Sequence, residues 1–132
     1  RVAFEGMVLK ASMVLSGLSA SQRAGVEAVA DWTVRCLRNT VPPAVTGVAF
    51  LSGGQSNEDA TAHLNTMNVK YKNLPWPLTF SYSRALQQPV METWRGKSTN
   101  VSAAQKQLLH RARLNGAAAT GSYSTQMERE AA

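Results

Sequence analysis

Hydrophobic and polar positions along this chain change period three times, from alternation to helical spacing. Residues 2–10 read as a strand, with Phe4, Gly6, Val8 and Lys10 on one side and Glu5, Met7 and Leu9 on the other. After a loop rich in Ser and Gly, Ser21 is a fair N-cap for a helix over 22–39. Val26, Val29, Ala30, Thr33 and Leu37 recur at helical spacing there and form its inner stripe. Pro42-Pro43 stop that helix, because proline cannot continue the hydrogen-bond ladder. A second strand, Val48 to Ser52, runs into Gly53-Gly54-Gln55 and then into a capping-box start at Ser56 to Asp59. The helix that follows extends to about Met67, with Ala60, Leu64 and Met67 facing inward. Leu78 to Tyr82 make a third strand with Pro77 at its mouth, where proline is tolerated. A short helix near 87–95 and a longer one, capped by Asn100 and running to about Ala119, complete the pattern, and Gly121 is its stop.

Strand, loop and helix in that order, three times over, argue for a parallel α/β arrangement. A doubly wound sheet and a (β/α)8 barrel both satisfy the pattern. Three units alone would leave two open sheet edges and much exposed apolar surface, so the reading implies missing partners. A barrel needs about 250 residues, and a chain of 132 that begins at Arg1, directly in an apparent strand, starts as a fragment would.

Composition narrows the picture further. A content of 44% hydrophobic and 17% charged residues suits a packed core rather than disorder. No apolar run approaches the roughly 18 residues of a membrane span. Cys36 is alone, which excludes an internal disulfide and points to a reducing compartment. His63 and His110 lie far apart without ligand spacing, so no metal site is expected from this chain. The net charge of +6 admits nucleic acid, an anionic membrane or small phosphorylated substrates. Lys97, Lys106, His110, Arg111 and Arg113 cluster near the last helix, but no aromatic platform interleaves them. A solvated helix face accounts for that cluster, and nucleic acid is not expected as a partner. Asn100-Val101-Ser102 matches a glycosylation acceptor but reads as the helix cap.

In parallel α/β folds chemistry collects where strands end and loops begin. Here those points carry Lys10, then Ser52-Gly53-Gly54, then Ser81-Tyr82-Ser83-Arg84. A glycine turn ahead of a helix N-terminus presents open backbone N–H groups to an anion, phosphate above all. Arg84 can close on the same group with its planar fork. Lys10 sits in an apolar strand, and its burial is expected to favour the free amine that attacks carbonyls and forms a Schiff base. The resulting iminium eases cleavage of the neighbouring C–C bond, while the phosphate site holds the substrate in register. Glu5, Glu27, Asp31, Glu58, Asp59, Glu92, Glu128 and Glu130 are all on helices, in the tail or on the opposite strand face, and none reads as a general acid or base. Proton transfer would then rely on further chain. The competing expectation is a non-catalytic phosphate-binding fragment that needs a missing barrel half for activity.

Glu5-Gly6-Met7-Val8-Leu9-Lys10-Ala11-Ser12-Met13-Val14 resembles the Schiff-base segment of class I fructose-bisphosphate aldolases. Thr40 to Val45, Phe50 to Ser56 and Thr79 to Gln87 resemble three further family blocks in the same order, and the similarity runs from Arg1 to about Tyr123. The resemblance implies that residues 1–121 are the C-terminal part of a (β/α)8 barrel, about its last three β/α units, followed by a polar tail over 122–132. It implies Lys10 as the Schiff-base lysine. Ser52, Gly53 and Gly54 would bind the phosphate next to the ketone, Arg84 and the Ser83 backbone would hold it from the other side, and Ser81 would contact substrate or a catalytic carboxylate. It further implies reversible cleavage of fructose 1,6-bisphosphate, sugar phosphates as partners, no cofactor or metal, no membrane, a homotetramer and a cytoplasmic location. Three departures stand out: Ala11-Ser12 for the usual Pro-Asn, Ser83 for the usual Gly or Ala, and no terminal tyrosine after Glu128-Arg129-Glu130-Ala131-Ala132.

Overall fold

A computed structural model describes residues 2–129. Three short parallel strands, β1 (Val8–Ala11), β2 (Gly47–Phe50) and β3 (Leu78–Phe80), form one sheet in the order β1-β2-β3. Helices α1 (Val26–Thr40) and α2 (Asn57–Lys70) make the crossovers, and α3 (Arg84–Trp94) and α4 (Val101–Thr120) follow β3. Parallel pairing needs such crossovers, and the first two strand–helix alternations in the sequence become them.

One face of the sheet is covered. Val48 and Phe50 of β2 pack there with Val29, Val34 and Leu37 of α1, with Ala60, Leu64 and Met67 of α2, and with Leu114 and Ala118 of α4. The inward stripe expected for α2 is thus realised, with Ala60, Leu64 and Met67 all fully buried. α1 adds Val34 to its expected stripe and leaves Val26 half-buried. On the other face Val8, Lys10 and Thr79 are exposed. Leu9 and Ala11 alternate with them and are half-buried against the helices.

The amide of Asn68 ties three elements together, donating to the carbonyls of Leu64 in α2, Leu78 in β3 and Ala118 in α4 at 3.1–3.2 Å. At the surface Lys70 bridges Glu27 and Asp31 of α1, and the Tyr71 hydroxyl donates to Asp31. α4 ends as expected at Gly121, whose φ of +73° lets its N–H and that of Ser122 return to the carbonyls of Ala118 and Ala117.

Several elements differ from expectation. The first strand is Val8–Ala11, not 2–10, because β2 begins at Gly47 and gives residues 2–7 nothing to pair with. Phe4–Gly6 instead close a 3-10 turn, and Met7 accepts from the Thr46 N–H and hydroxyl. α1 starts at Val26 rather than after Ser21, since the Ser16 hydroxyl accepts from Ala24 N–H and holds the loop out to Gly25. α3 begins at Arg84 and contains Pro89, which leaves one helical bond unmade. Asn100 precedes α4 but caps its predecessor, donating to the Thr93 and Trp94 carbonyls at the end of α3.

The described part of the terminal segment, Ser122 to Arg129, is anchored to the helices. Tyr123 is buried, its N–H donates to Asn65, and its hydroxyl donates to Glu128. Arg111, 3% exposed, donates to Glu128 at 2.6 Å and to the Thr61 hydroxyl and Asn57 carbonyl. Arg111 therefore leaves the basic surface cluster and becomes a buried tie. No described helix is long and apolar enough to cross a membrane.

Candidate active site

The sheet register sets the site. Lys10 pairs with Ala49, and Ala49 with Thr79, so β1, β2 and β3 end at one level. Leu51 N–H donates to Ala11 and Ser81 N–H to Phe50, which carries the ladder one residue beyond each strand. The exits that hold the glycine turn and Ser81-Arg84 therefore leave the same end of the sheet as Lys10.

The turn after β2 is cross-linked. Gln55 N–H donates to the Ser52 carbonyl, and between them Gly54 adopts a φ of +78° that favours glycine. A Cβ on Gly53 would lie 3.1 Å from Leu51 Cδ1, so this position also favours a residue without one. Arg84 reaches across from the start of α3, and one of its terminal nitrogens donates to both the Ser52 and Gln55 carbonyls. The remaining donors of its fork have no partner among the described residues and are open to an anion. Ser52 is buried, and its hydroxyl accepts from Ala85 N–H at 3.3 Å, which joins the turn to α3 a second time. The glycines are exposed, and the turn leads into α2, whose Ser56 cap accepts from Asp59 N–H as expected. Backbone donors, a guanidinium and a helix N-terminus thus converge in a form suited to phosphate.

Ser81 is exposed and lies on the same sheet face as Thr79 and Lys10 by strand alternation. Ser83 has a φ of −97°, which any residue adopts, so the position does not require glycine. Its carbonyl accepts from Leu86 and Gln87 N–H and starts α3.

Lys10 differs from the expectation of a buried amine. It is exposed and has no ion-pair partner among the described residues. The cause is the uncovered sheet face, on which neighbouring Val8 is 62% exposed. Among the described residues no group of three or more His, Cys, Asp or Glu side chains is placed to hold a metal.

Three buried polar side chains around this rim are absent from the sequence-based set. The Tyr82 hydroxyl donates to the Ala60 carbonyl at 2.7 Å, and burial pushes its pKa well above the ordinary tyrosine range. Gln55 is 7% exposed and accepts at Oε1 from Nδ1 of His63, 6% exposed, at 2.7 Å. Burial holds the His63 pKa below its ordinary value, with Asp59 opposing, so the ring is neutral near pH 7. One sequence signal pointed to His63: it falls three residues after Ala60, on the inward stripe of α2.

Comparison with known proteins decides the family. The sequence profile of class-I fructose-bisphosphate aldolase matches residues 1–132. This chain belongs to the class-I fructose-bisphosphate aldolase family. Fructose-bisphosphate aldolase of Dictyostelium discoideum is 52% identical over 123 residues, 93% of this chain and 34% of that protein. The chloroplastic fructose-bisphosphate aldolase 1 of Arabidopsis thaliana is 51% identical over 131 residues, 99% of this chain and 32% of that protein. The chain therefore spans about a third of the length of the curated aldolases it matches. Among solved structures, the aldolase of Plasmodium falciparum, in a ternary crystal with TRAP and a small-molecule inhibitor, superposes with a TM-score of 0.89 at 49% identity. That match covers 93% of this chain and 35% of the aldolase chain. Three parallel β/α units with one bare sheet face agree with a portion of an aldolase (β/α) barrel.

Proposed function

We propose that this chain supplies the Schiff-base lysine and one phosphate cradle of an aldolase that reversibly cleaves fructose 1,6-bisphosphate into dihydroxyacetone phosphate and glyceraldehyde 3-phosphate. The observation that carries this reading is the Ser52–Gln55 turn clamped by Arg84, at the sheet end that also bears Lys10. Gly53, Gly54 and the free donors of Arg84 hold the phosphate, with the Ser83 backbone beside them and Ser81 toward the sugar. Further barrel strands would cover the bare face around Lys10. Taking the ammonium out of water in this way favours the neutral, nucleophilic amine.

The amine adds to the ketone carbon, and loss of water leaves an iminium. The electron pair of the adjacent C–C bond then moves into that iminium, the hydroxyl on the far carbon loses its proton, and the aldehyde departs. Protonation of the enamine and hydrolysis release the ketose phosphate and restore the lysine. The iminium is itself the electron sink, so the cycle uses neither metal nor cofactor. Its acids and bases would come from outside these residues. The family likeness further supports a homotetramer in the cytoplasm, which native mass spectrometry and cell fractionation test, with a plastid fraction, as for the chloroplastic Arabidopsis relative, as the opposing outcome.

The decisive experiment is intact mass before and after borohydride reduction with dihydroxyacetone phosphate. A permanent gain mapped to Lys10, and absent in Lys10→Arg, is expected. No gain on the complete folded enzyme would sink the mechanism.

A further inference from the structure

Within that reading, we infer that His63 is a positioning residue for phosphate recognition, acting through the Gln55 side chain on the Ser52–Gln55 turn. The main chain of Gln55 closes the turn twice, its N–H on the Ser52 carbonyl and its own carbonyl under Arg84. Its side chain, like that of Ser52, is buried, and its amide oxygen meets His63 Nδ1 at 2.7 Å. An amide oxygen only accepts, so the ring donates from Nδ1. His63 lies eight residues on, in the second turn of α2, and α2 packs on α1 and α4. The bond therefore fastens a loop to a helix that the core already holds.

The position of that loop decides where the donors point. Gly53 and Gly54 have little side chain to pack, so their backbone follows the residues at either end. Ser52 is fixed by Ala85 N–H and by Arg84; Gln55 is fixed by Arg84 and by His63. Without the histidine, the Gln55 side chain loses its one anchor, and the guanidinium, which is also asked to hold phosphate, becomes the main tie from outside the turn on that residue. A small cavity of about 130 Å³ adjoins the pair, lined by Arg23, Gly54, Gln55, Asp59 and His63 among others. It gives an unanchored Gln55 side chain room to turn, and Gln55 Nε2 has no hydrogen-bond partner among the described residues to resist that movement. Binding is the step that suffers, because His63 touches neither the reacting carbon nor Lys10 on this reading.

The test is steady-state kinetics on the complete enzyme with fructose 1,6-bisphosphate. His63→Leu removes the donor, His63→Asn keeps an N–H near the Nδ1 position, and Gln55→Leu removes the acceptor. His63→Leu is expected to raise KM about tenfold with kcat within about twofold, the signature of lost binding rather than lost chemistry. His63→Asn should return KM to within about threefold of the parent. The double variant of His63→Leu and Gln55→Leu should be no worse than either single one, because both cut the same link. Equal KM increases for His63→Leu and His63→Asn, a loss confined to kcat, or additive effects in the double variant would overturn the inference. Should His63→Leu not fold, the other two decide. A parental His63→Asn with a raised KM for Gln55→Leu supports the link, and a parental KM in both overturns it. A parent that forms no borohydride adduct refutes the aldolase reading, whereas an active parent with indifferent variants refutes only the role of His63.

Discussion

The two halves of the candidate site are built to very different degrees. The Ser52–Gln55 turn is held by Arg84, Ala85 and His63, all buried against or rooted in helices that share one core. Lys10 has one strand neighbour and open space in front of it. The side-chain hydrogen bonds that hold the turn come from the unit it begins and the next one, the most distant 33 residues away. It can thus be assembled by these residues alone. The environment of the lysine belongs to a sheet face that the chain borders but does not enclose. On the function proposed above, phosphate recognition and nucleophile activation are therefore separable tasks, one local and one collective.

The largest expected effect comes from breaking the collective half. Lys10→Ala should lower turnover by about 10⁴-fold or more, since no other nucleophile replaces the amine. Measured on these residues, its stability should change by less than about 0.5 kcal/mol, as for other exposed positions. A marked drop in the denaturation midpoint would show that Lys10 is packed, and the contrast would fail. Arg84→Ala attacks the local half and should do both kinds of damage. Substrate KM should rise by about 100-fold, and unfolding free energy should fall by about 1–3 kcal/mol as two buried carbonyls lose a charged donor. Arg84→Ala with unchanged stability would mean that the turn stands without its clamp.

The smallest effect concerns pH. The folded pKa of His63 lies below its ordinary 6.5 because burial disfavours the charged ring. The unfolded state therefore binds the proton more readily. The stabilisation is fully present above pH 6.5 and is lost as pH falls through 6.5 toward the lower folded value. Its slope is at most about 1.4 kcal/mol per pH unit. Denaturant titrations at roughly pH 7.5 and roughly pH 5.5 should show the decline in the parent and less of it in His63→Asn. Equal declines would assign the acid sensitivity to other groups.

The features legible in the sequence are those that depend on neighbours along the chain. The inward stripe of α2, the Ser56 cap, the Gly121 stop and the glycine turn before a helix all follow from spacing of a few residues. The structure departs from the sequence reading where a partner outside the element itself decides. Alternation over 2–7 is strand-like, yet β2 is too short to pair with it. Asn100 has the right residue type for a helix start, but the carbonyls ending α3 take its amide. Arg111 reads as surface charge until Glu128, Thr61 and Asn57 surround it. Likewise His63 has no metal-ligand spacing around it, and its partner is a glutamine eight residues back, in the loop before the helix. The role proposed for Lys10 rests on family likeness, because its strand neighbours alone leave it exposed.

Asn68 carries a consequence for synthesis on the ribosome. Its last acceptor, Ala118, is 50 residues downstream, so the amide is finished only when most of α4 has emerged. At about 5–20 residues per second, α2 waits roughly 3–10 s for that helix. Throughout the wait Leu64 and Met67, which the finished fold excludes from water, lack part of their cover. The nascent chain is most exposed to chaperones and to its own neighbours in that interval, and the arrival of α4 ends it.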